Sequence, residues 1–255
     1  MSVHRRCAYV CGWLARLCLM ATAAMPPAAW ADLAVTGTRF VYPEGEKEIV
    51  VSLRNTGNDP ILVQTWLDRG GPESDLSRLQ VPFVLMPPLF RMDPGQRKTL
   101  QLRYTGEPLP PDRETVFWIN LRHAPANHDA QQRLQVVLSY VMKVLYRPKG
   151  LAGAAKDAPA LVRWTYHRGA GQSPAYLQAE NPTPYAVSLT TLSLRNGPIP
   201  ITWTGLTILP KTTERFALPA GSTPQLASGA GLEFEAVDDL GLVMPGEATL
   251  QSVSP

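Results

Sequence analysis

Three histidines, no cysteine and no glycine-rich phosphate loop are what this chain offers for catalysis once its first 31 residues are set aside. The histidines are His123, His128 and His167. His123 and His128, five apart in an expected loop, read as solvated loop residues rather than as a metal pair. Gly150–Lys156 contains a glycine and a lysine, but neither the spacing nor the strand–helix setting of a phosphate loop. No serine sits in G-x-S-x-G, and nothing points to a Ser-His-Asp triad. The inventory therefore speaks against an enzyme: no catalytic residue, metal ligand or cofactor is expected. The side chain that stands out is Lys143, near the end of the run Leu134–Pro148, LQVVLSYVMKVLYRP.

That run is longer than an ordinary strand of about five or six residues. Leu134, Val136, Leu138, Tyr140 and Met142 share one parity; the other parity is mixed. Period-2 alternation makes a strand with two different faces. An apolar strip of this length either covers a core or lies open as a template for another strand. Pro148 stops the ladder. A lysine at the end of such a strip suggests a surface that handles polypeptides.

The first residues read as an export signal. Arg5 and Arg6 give a positive start, Cys7 to Met25 is mostly apolar, and Ala29-Trp30-Ala31 fits a small-x-small cleavage site. Arg16 interrupts the apolar run too early for a span of about 20 residues. Cleavage after residue 31 removes Cys7, Cys11 and Cys18, so the mature chain reaches an oxidising compartment without a disulfide. It also removes three of the 24 basic residues, leaving 21 against 21 acidic. A neutral chain gives no general case for nucleic acid or anionic lipid, and no membrane insertion is expected after cleavage.

Strand signals dominate the remainder. Candidate strands are Leu33–Tyr42, Glu48–Leu53, Ile61–Leu67, Val81–Met86, Arg97–Tyr104, Val116–Leu121 and the long run from Leu134. Turns such as Asn55–Pro60 and Asp93-Pro94-Gly95 separate them. Seven strands with regular turns are the pattern of an immunoglobulin-like sandwich. Lys149–Pro159 reads as a flexible linker. Shorter strands follow: Leu161–His167, Ala175–Glu180, Tyr185–Leu194, Ile199–Trp203, Thr213–Leu218 and Leu232–Ala236. The expected organisation is a signal over 1–31, a first sandwich domain over 32–148 and a second over 149–255.

Five blocks carry a resemblance. They are Thr38–Pro43 (TRFVYP), Pro87–Gly95 (PPLFRMDPG), Asp112-Arg113-Glu114 with Phe117–Arg122 (FWINLR), Lys143–Pro148 (KVLYRP) and Glu180–Tyr185 (ENPTPY). Together and in this order they resemble the periplasmic pilus-assembly chaperones, the PapD-like family. The resemblance implies an all-β protein of two immunoglobulin-like β-sandwich domains at an angle with an interdomain cleft. It implies that Arg39 and Lys143 hold the C-terminal carboxylate of a fimbrial subunit, which two cations on neighbouring strands can do by charge-assisted hydrogen bonds. Leu134, Val136, Leu138 and Tyr140 are then the donor strand laid into the subunit's open groove. Glu114, Arg147 and Asp239 resemble an interdomain salt-bridge set, with Asp238 an equal candidate for the last place. The short connection Arg122 to Arg133 resembles the short-loop group that serves rod-shaped pili.

The function expected is that of a periplasmic chaperone that binds pilin subunits and delivers them to an outer-membrane usher. The alternative is an exported fimbrial subunit or adhesin-like module, which is expected to carry an N-terminal donor extension and a truncated sandwich. A secreted hydrolase on a β scaffold has no motif in its favour.

Overall fold

In the computed structural model, residues 33–70, 79–125, 137–169, 174–195, 200–218 and 230–254 are described. The segment 1–31 therefore lies outside the described residues, as do His128, Leu134 and Val136.

Among the described residues the first sandwich has nine strands. These are β1 (Leu33–Val35), β2 (Arg39–Pro43), β3 (Ile49–Asn55), β4 (Ile61–Asp68), β5 (Phe83–Met86), β6 (Leu89–Met92), β7 (Arg97–Tyr104), β8 (Thr115–Pro125) and β9 (Leu138–Arg147). One sheet runs β1-β3-β7-β5 and the other β2-β9-β8-β4-β6. Alternating residues from both meet in one core of Val51, Leu53, Val63, Leu100, Phe117, Ile119, Leu121, Met142 and Val144. Each such side chain contributes roughly 1.5–3 kcal/mol when removed from water.

One expected strand is in fact a pair of strands in different sheets, and one strand after Val81–Met86 is additional to the expected set. The segment Leu33–Tyr42 breaks at Gly37, whose φ of +97° costs other residues strain. On one side β1 pairs with β3, and on the other β2 pairs in parallel with β9. Strand β5 ends at Met86, and after Pro87-Pro88 the chain returns as β6 against β4. Buried Thr65 of β4 stitches this crossing: its hydroxyl donates to the Pro87 carbonyl at 2.9 Å and its amide to that of Pro88 at 2.8 Å.

The segment after Pro148 is a packed connector rather than a flexible one. A 3-10 turn at Ala155–Asp157 leads into the short helix α1 (Ala158–Leu161). Pro159 sits in its first turn, where a missing amide hydrogen costs nothing. Ala158 is buried in the second core. Alanines read as linker material are thus small enough to be packed.

The second sandwich comprises β10 (Arg163–His167), β11 (Tyr176–Asn181), β12 (Val187–Leu194), β13 (Ile201–Ile208), β14 (Thr212–Ala217), β15 (Gly231–Val237) and β16 (Val243–Ser254). The hydrogen-bonded order is β13-β12-β15-β16-β10-β11-β14. Strand β16 joins the two halves, pairing antiparallel with β15 up to Thr249 and parallel with β10 from Leu250. It lies beyond the expected strands, and the Pro245-Gly246 pair inside it is of a type that marks turns. Gly246 lies opposite Phe234, and a β-carbon there would come within 2.4 Å of the ring. The glycine is a seat for the aromatic ring, as happens where a strand must be approached closely.

Candidate functional site

Strands β2 and β9 run parallel with Arg39 opposite Lys143, so neighbouring backbones carry the two cations on one edge of the sheet. On β9 the neighbours Met142 and Val144 point into the first core, which turns Lys143 outward. There it meets the second sandwich: Nζ donates to Ser188 Oγ on β12 at 2.8 Å and to Thr207 Oγ1 on β13 at 2.6 Å. Arg39 Nη1 donates to the carbonyl of Val237 at the end of β15, at 2.6 Å. The Arg39 Nε–H is buried with no partner.

Burial, with the nearby Arg39 charge, brings the Lys143 ammonium down to about 8. Burial lowers Arg39 too, against the opposing pull of Asp239, Asp238 and Glu114. Neither cation has a carboxylate in hydrogen-bond contact among the described residues, and both are partly removed from water. Such a pair offers strong binding to an anion that reaches it.

The edge of β9 is shared unequally. From Lys143 to Arg147 it is covered by β2. From Leu138 to Met142 β9 pairs with β8 on one side, and among the described residues no strand covers the other side. The Lys143 amide donates to the Thr38 carbonyl at 3.3 Å and the Arg147 carbonyl accepts from the Glu44 amide at 2.8 Å, so odd-numbered residues turn their backbone groups to this edge. By alternation, Ser139 and Val141 present theirs to the open part. The even parity changes from buried to exposed along the same stretch. Met142 is in the core, Tyr140 is half-buried with its ring 5.8 Å from that of His123, and Leu138 is 40% exposed. On the other parity Val141 is 61% exposed.

A second cluster spans the seam between the sandwiches. Arg147 Nε donates to Glu114 Oε1 at 2.5 Å, and its two terminal nitrogens donate to both oxygens of Asp239, at 2.7 and 2.8 Å. Glu114 Oε2 accepts from the Ala186 amide at 2.8 Å, and the Glu114 amide donates to the Pro184 carbonyl at 2.9 Å. Burial raises Glu114, while Arg147 and the Ala186 amide pull it back. Burial lowers Arg147, but its bonds to Asp239 and Glu114 outweigh that and keep the guanidinium protonated. Asp239 is the acidic partner. Asp238 is used otherwise, accepting from the amides of Leu240 and Leu242 at 2.9 and 2.8 Å. The Arg147 guanidinium also lies 5.4 Å from the centre of the Tyr185 ring. Lys211 and Asp112 add a further contact across the seam at 2.6 Å. Between the sandwiches lies a cleft of about 420 Å³, whose walls include Arg39, Leu145, Arg147, Tyr185, Ser188 and Asp239.

Arg39 and Lys143 thus stand together, as do Glu114, Arg147 and Asp239, while Leu138 and Tyr140 lie on the partly open strand. Ser188 and Thr207 were not anticipated. Ser188 leaves a trace as a hydroxyl inside the apolar strand β12; Thr207 leaves none. His123 departs from its expected place in a loop. Strand β8 continues to Pro125, and alternation with Ile119 and Leu121 turns His123 into the interior. No group of three or more metal-ligating side chains occurs among the described residues.

The comparisons with known proteins agree. "Pili and flagellar-assembly chaperone, PapD N-terminal domain" matches residues 32–152, and "Pili assembly chaperone PapD, C-terminal domain" matches 157–248. The probable fimbrial chaperone YadV of Escherichia coli K12 is 34% identical over 244 residues, covering 92% of this chain and 96% of that protein. The chaperone protein FimB/FhaD of Bordetella pertussis is 35% identical over 235 residues, covering 89% and 92%. The crystal structure of YadV superposes with a TM-score of 0.71, covering 86% of this chain and all of the other. The Salmonella enterica SafB chaperone, solved in complex with the SafA pilin, gives 0.68 at 28% identity, covering 88% and 98%. With both family domains in order and relatives above 30% identity along most of its length, this chain belongs to the PapD-like family of pilus-assembly chaperones.

Proposed function

We propose that this chain is a periplasmic chaperone that captures fimbrial subunits through their C-terminal strand, completes their fold with its own β9 and hands them to an outer-membrane usher. The observation that carries this reading is where the open edge of β9 ends. A strand laid against Ser139 and Val141 occupies the lane that β2 fills farther on. It must stop where β2 begins, beside Arg39 and Lys143. A chain end that stops between two cations is a C-terminal carboxylate, and a strand ending there runs parallel to β9. Addition of a strand to an open edge is an established mode of peptide capture and is the family's known role.

In this reading Leu138 and Tyr140, with Leu134 and Val136 upstream, enter the groove of the bound subunit. Glu114, Arg147 and Asp239 fix the relation of the two sandwiches and touch no ligand. The domain limits 32–148 and 149–255 follow from the same division. Export to the periplasm rests on the signal-like residues 1–31. Binding alone supplies the driving force, with no catalysis and no cofactor. The test is affinity purification of the tagged chain from periplasmic extract of its host. The expected outcome is a co-purifying fimbrial subunit, released when the cleft cations are replaced. Recovery of the chain with no fimbrial polypeptide sinks the proposal.

A further inference from the structure

Among the described residues, the most exposed large apolar side chain belongs to the β15–β16 turn, on the second sandwich. Leu240 is 80% exposed and Leu242 61%, and Val243 is exposed beside them. Flexibility does not account for them. The Asp238 carboxylate accepts from the amides of both leucines, the Asp238 amide donates to the Leu242 carbonyl at 3.0 Å, and the Gly241 amide donates to the Asp238 carbonyl at 3.1 Å. The turn is locked from inside, so each leucine is held in water at the hydrophobic cost its area implies.

Its position gives the exposure a purpose. The preceding residues anchor the turn to the cleft, since Asp239 binds Arg147 and the Val237 carbonyl receives Arg39. A β-carbon at Gly241 would lie 3.1 Å from Thr38 Oγ1, so the turn abuts the residue just before β2. Thr38 is also the residue whose carbonyl accepts from the Lys143 amide. The turn that carries the leucines therefore adjoins, through Gly241 and Thr38, the place where the open lane of β9 ends.

We infer that Leu240 and Leu242 form an apolar lip on the second sandwich that packs against the captured subunit beside its C-terminal residue and helps decide which subunits are held. This rests on the cleft reading above, because the lip matters only if a chain end is anchored at Arg39 and Lys143. The occupant it fits is the body of a β-rich subunit with an apolar surface next to its last strand. Continuity with the cationic cleft favours this over a second copy of the chain or the usher. Two rigid leucines beside an anchored chain end raise affinity through the dissociation rate, because apolar contacts do not steer approach.

The experiment uses the full mature chain and the fimbrial subunit that co-purifies with it as the probe. Binding is measured for wild type, Arg39→Ala and the double variant Leu240→Ser, Leu242→Ser. The double variant is expected to lose about tenfold in affinity, mainly by faster dissociation, with an unchanged melting temperature. Affinity within twofold of wild type, while Arg39→Ala abolishes capture, overturns the lip and leaves the cleft reading standing. Undiminished capture by Arg39→Ala overturns both. If the double variant melts early, Leu240→Gln alone must show the same direction at about threefold, or the inference fails. A wild-type dimer that the double variant converts to monomer, with capture unchanged, marks a self-association surface and also overturns it.

Discussion

Lys143 of the first sandwich donates to Thr207 of the second at 2.6 Å, so the cation that stands on the edge of one sheet is aimed by a hydroxyl on another. A flexible four-carbon side chain gains direction this way without a neutralising carboxylate. The cleft is therefore assembled across the seam, and neither sandwich carries it alone. Four expectations follow from particular contacts.

Replacing either cation removes capture and spares the fold. Arg39 and Lys143 are partly desolvated, so loss of one leaves a bound carboxylate short of a partner. The expected loss is about 2–5 kcal/mol, or roughly 30-fold to several-thousand-fold in affinity. Pull-down of a fimbrial subunit with Arg39→Ala and Lys143→Ala checks this, with circular dichroism as the fold control. Full binding by both variants removes the anchor role.

Capture weakens in alkali. The folded Lys143 titrates at about 8, below its ordinary 10.5, so the free chaperone loses the ammonium as pH rises past about 8. A bound carboxylate prefers the protonated form, so affinity falls by up to about tenfold per pH unit above that point. Stability moves the other way. A lysine whose folded value is depressed destabilises the native state while charged, so stability rises between about 8 and 10.5. Binding titrations from pH 6 to 10 with Lys143→Arg as control read the first effect. A flat profile for wild type contradicts it.

The interdomain triad is asymmetric. Arg147→Ala leaves Glu114, whose side chain is 1% exposed, as a buried carboxylate without its cation, costing about 3–5 kcal/mol. The Asp239 side chain is 38% exposed, so Asp239→Asn costs about 1 kcal/mol or less. Urea unfolding of the two variants separates them. Equal losses show that Asp239, rather than Glu114, carries the energetic weight.

One parity of β9 is expected to serve two purposes. Val144 is fully buried, and Val144→Asp unfolds the first sandwich by placing an unpaired charge in the core. Leu138→Glu, six residues earlier on the same face, is expected to melt like wild type and fail in capture. Thermal melts combined with pull-down decide this, and an early melt for Leu138→Glu assigns that position to the chaperone's own core.

What could be read in advance followed chemical periodicity. Alternation located most strands of the first sandwich and the long strand at Leu138, because a half-buried strand must alternate. Where a strand is interrupted for a tertiary reason, the pattern failed. Pro245-Gly246 looks like a turn until Phe234 occupies the space over the glycine. Gly37 looks like an ordinary strand residue until β1 and β2 part company there. The pairing of Arg39 with Lys143 came from motif resemblance, since residues more than a hundred positions apart carry no local mark of contact. Ser188 and Thr207 were missed because a single hydroxyl on a strand says nothing about which domain it faces.

The takeover of the β9 edge by β2 has a practical corollary. If a subunit strand enters this lane as proposed, its closure at one end makes it inspect termini rather than interior sequence. Any polypeptide carried past its natural last residue, by read-through or by an engineered tag, meets β2 head-on before its carboxylate arrives. A shortened end never reaches that backstop, so in this reading the lane discriminates against extension and not against loss of residues.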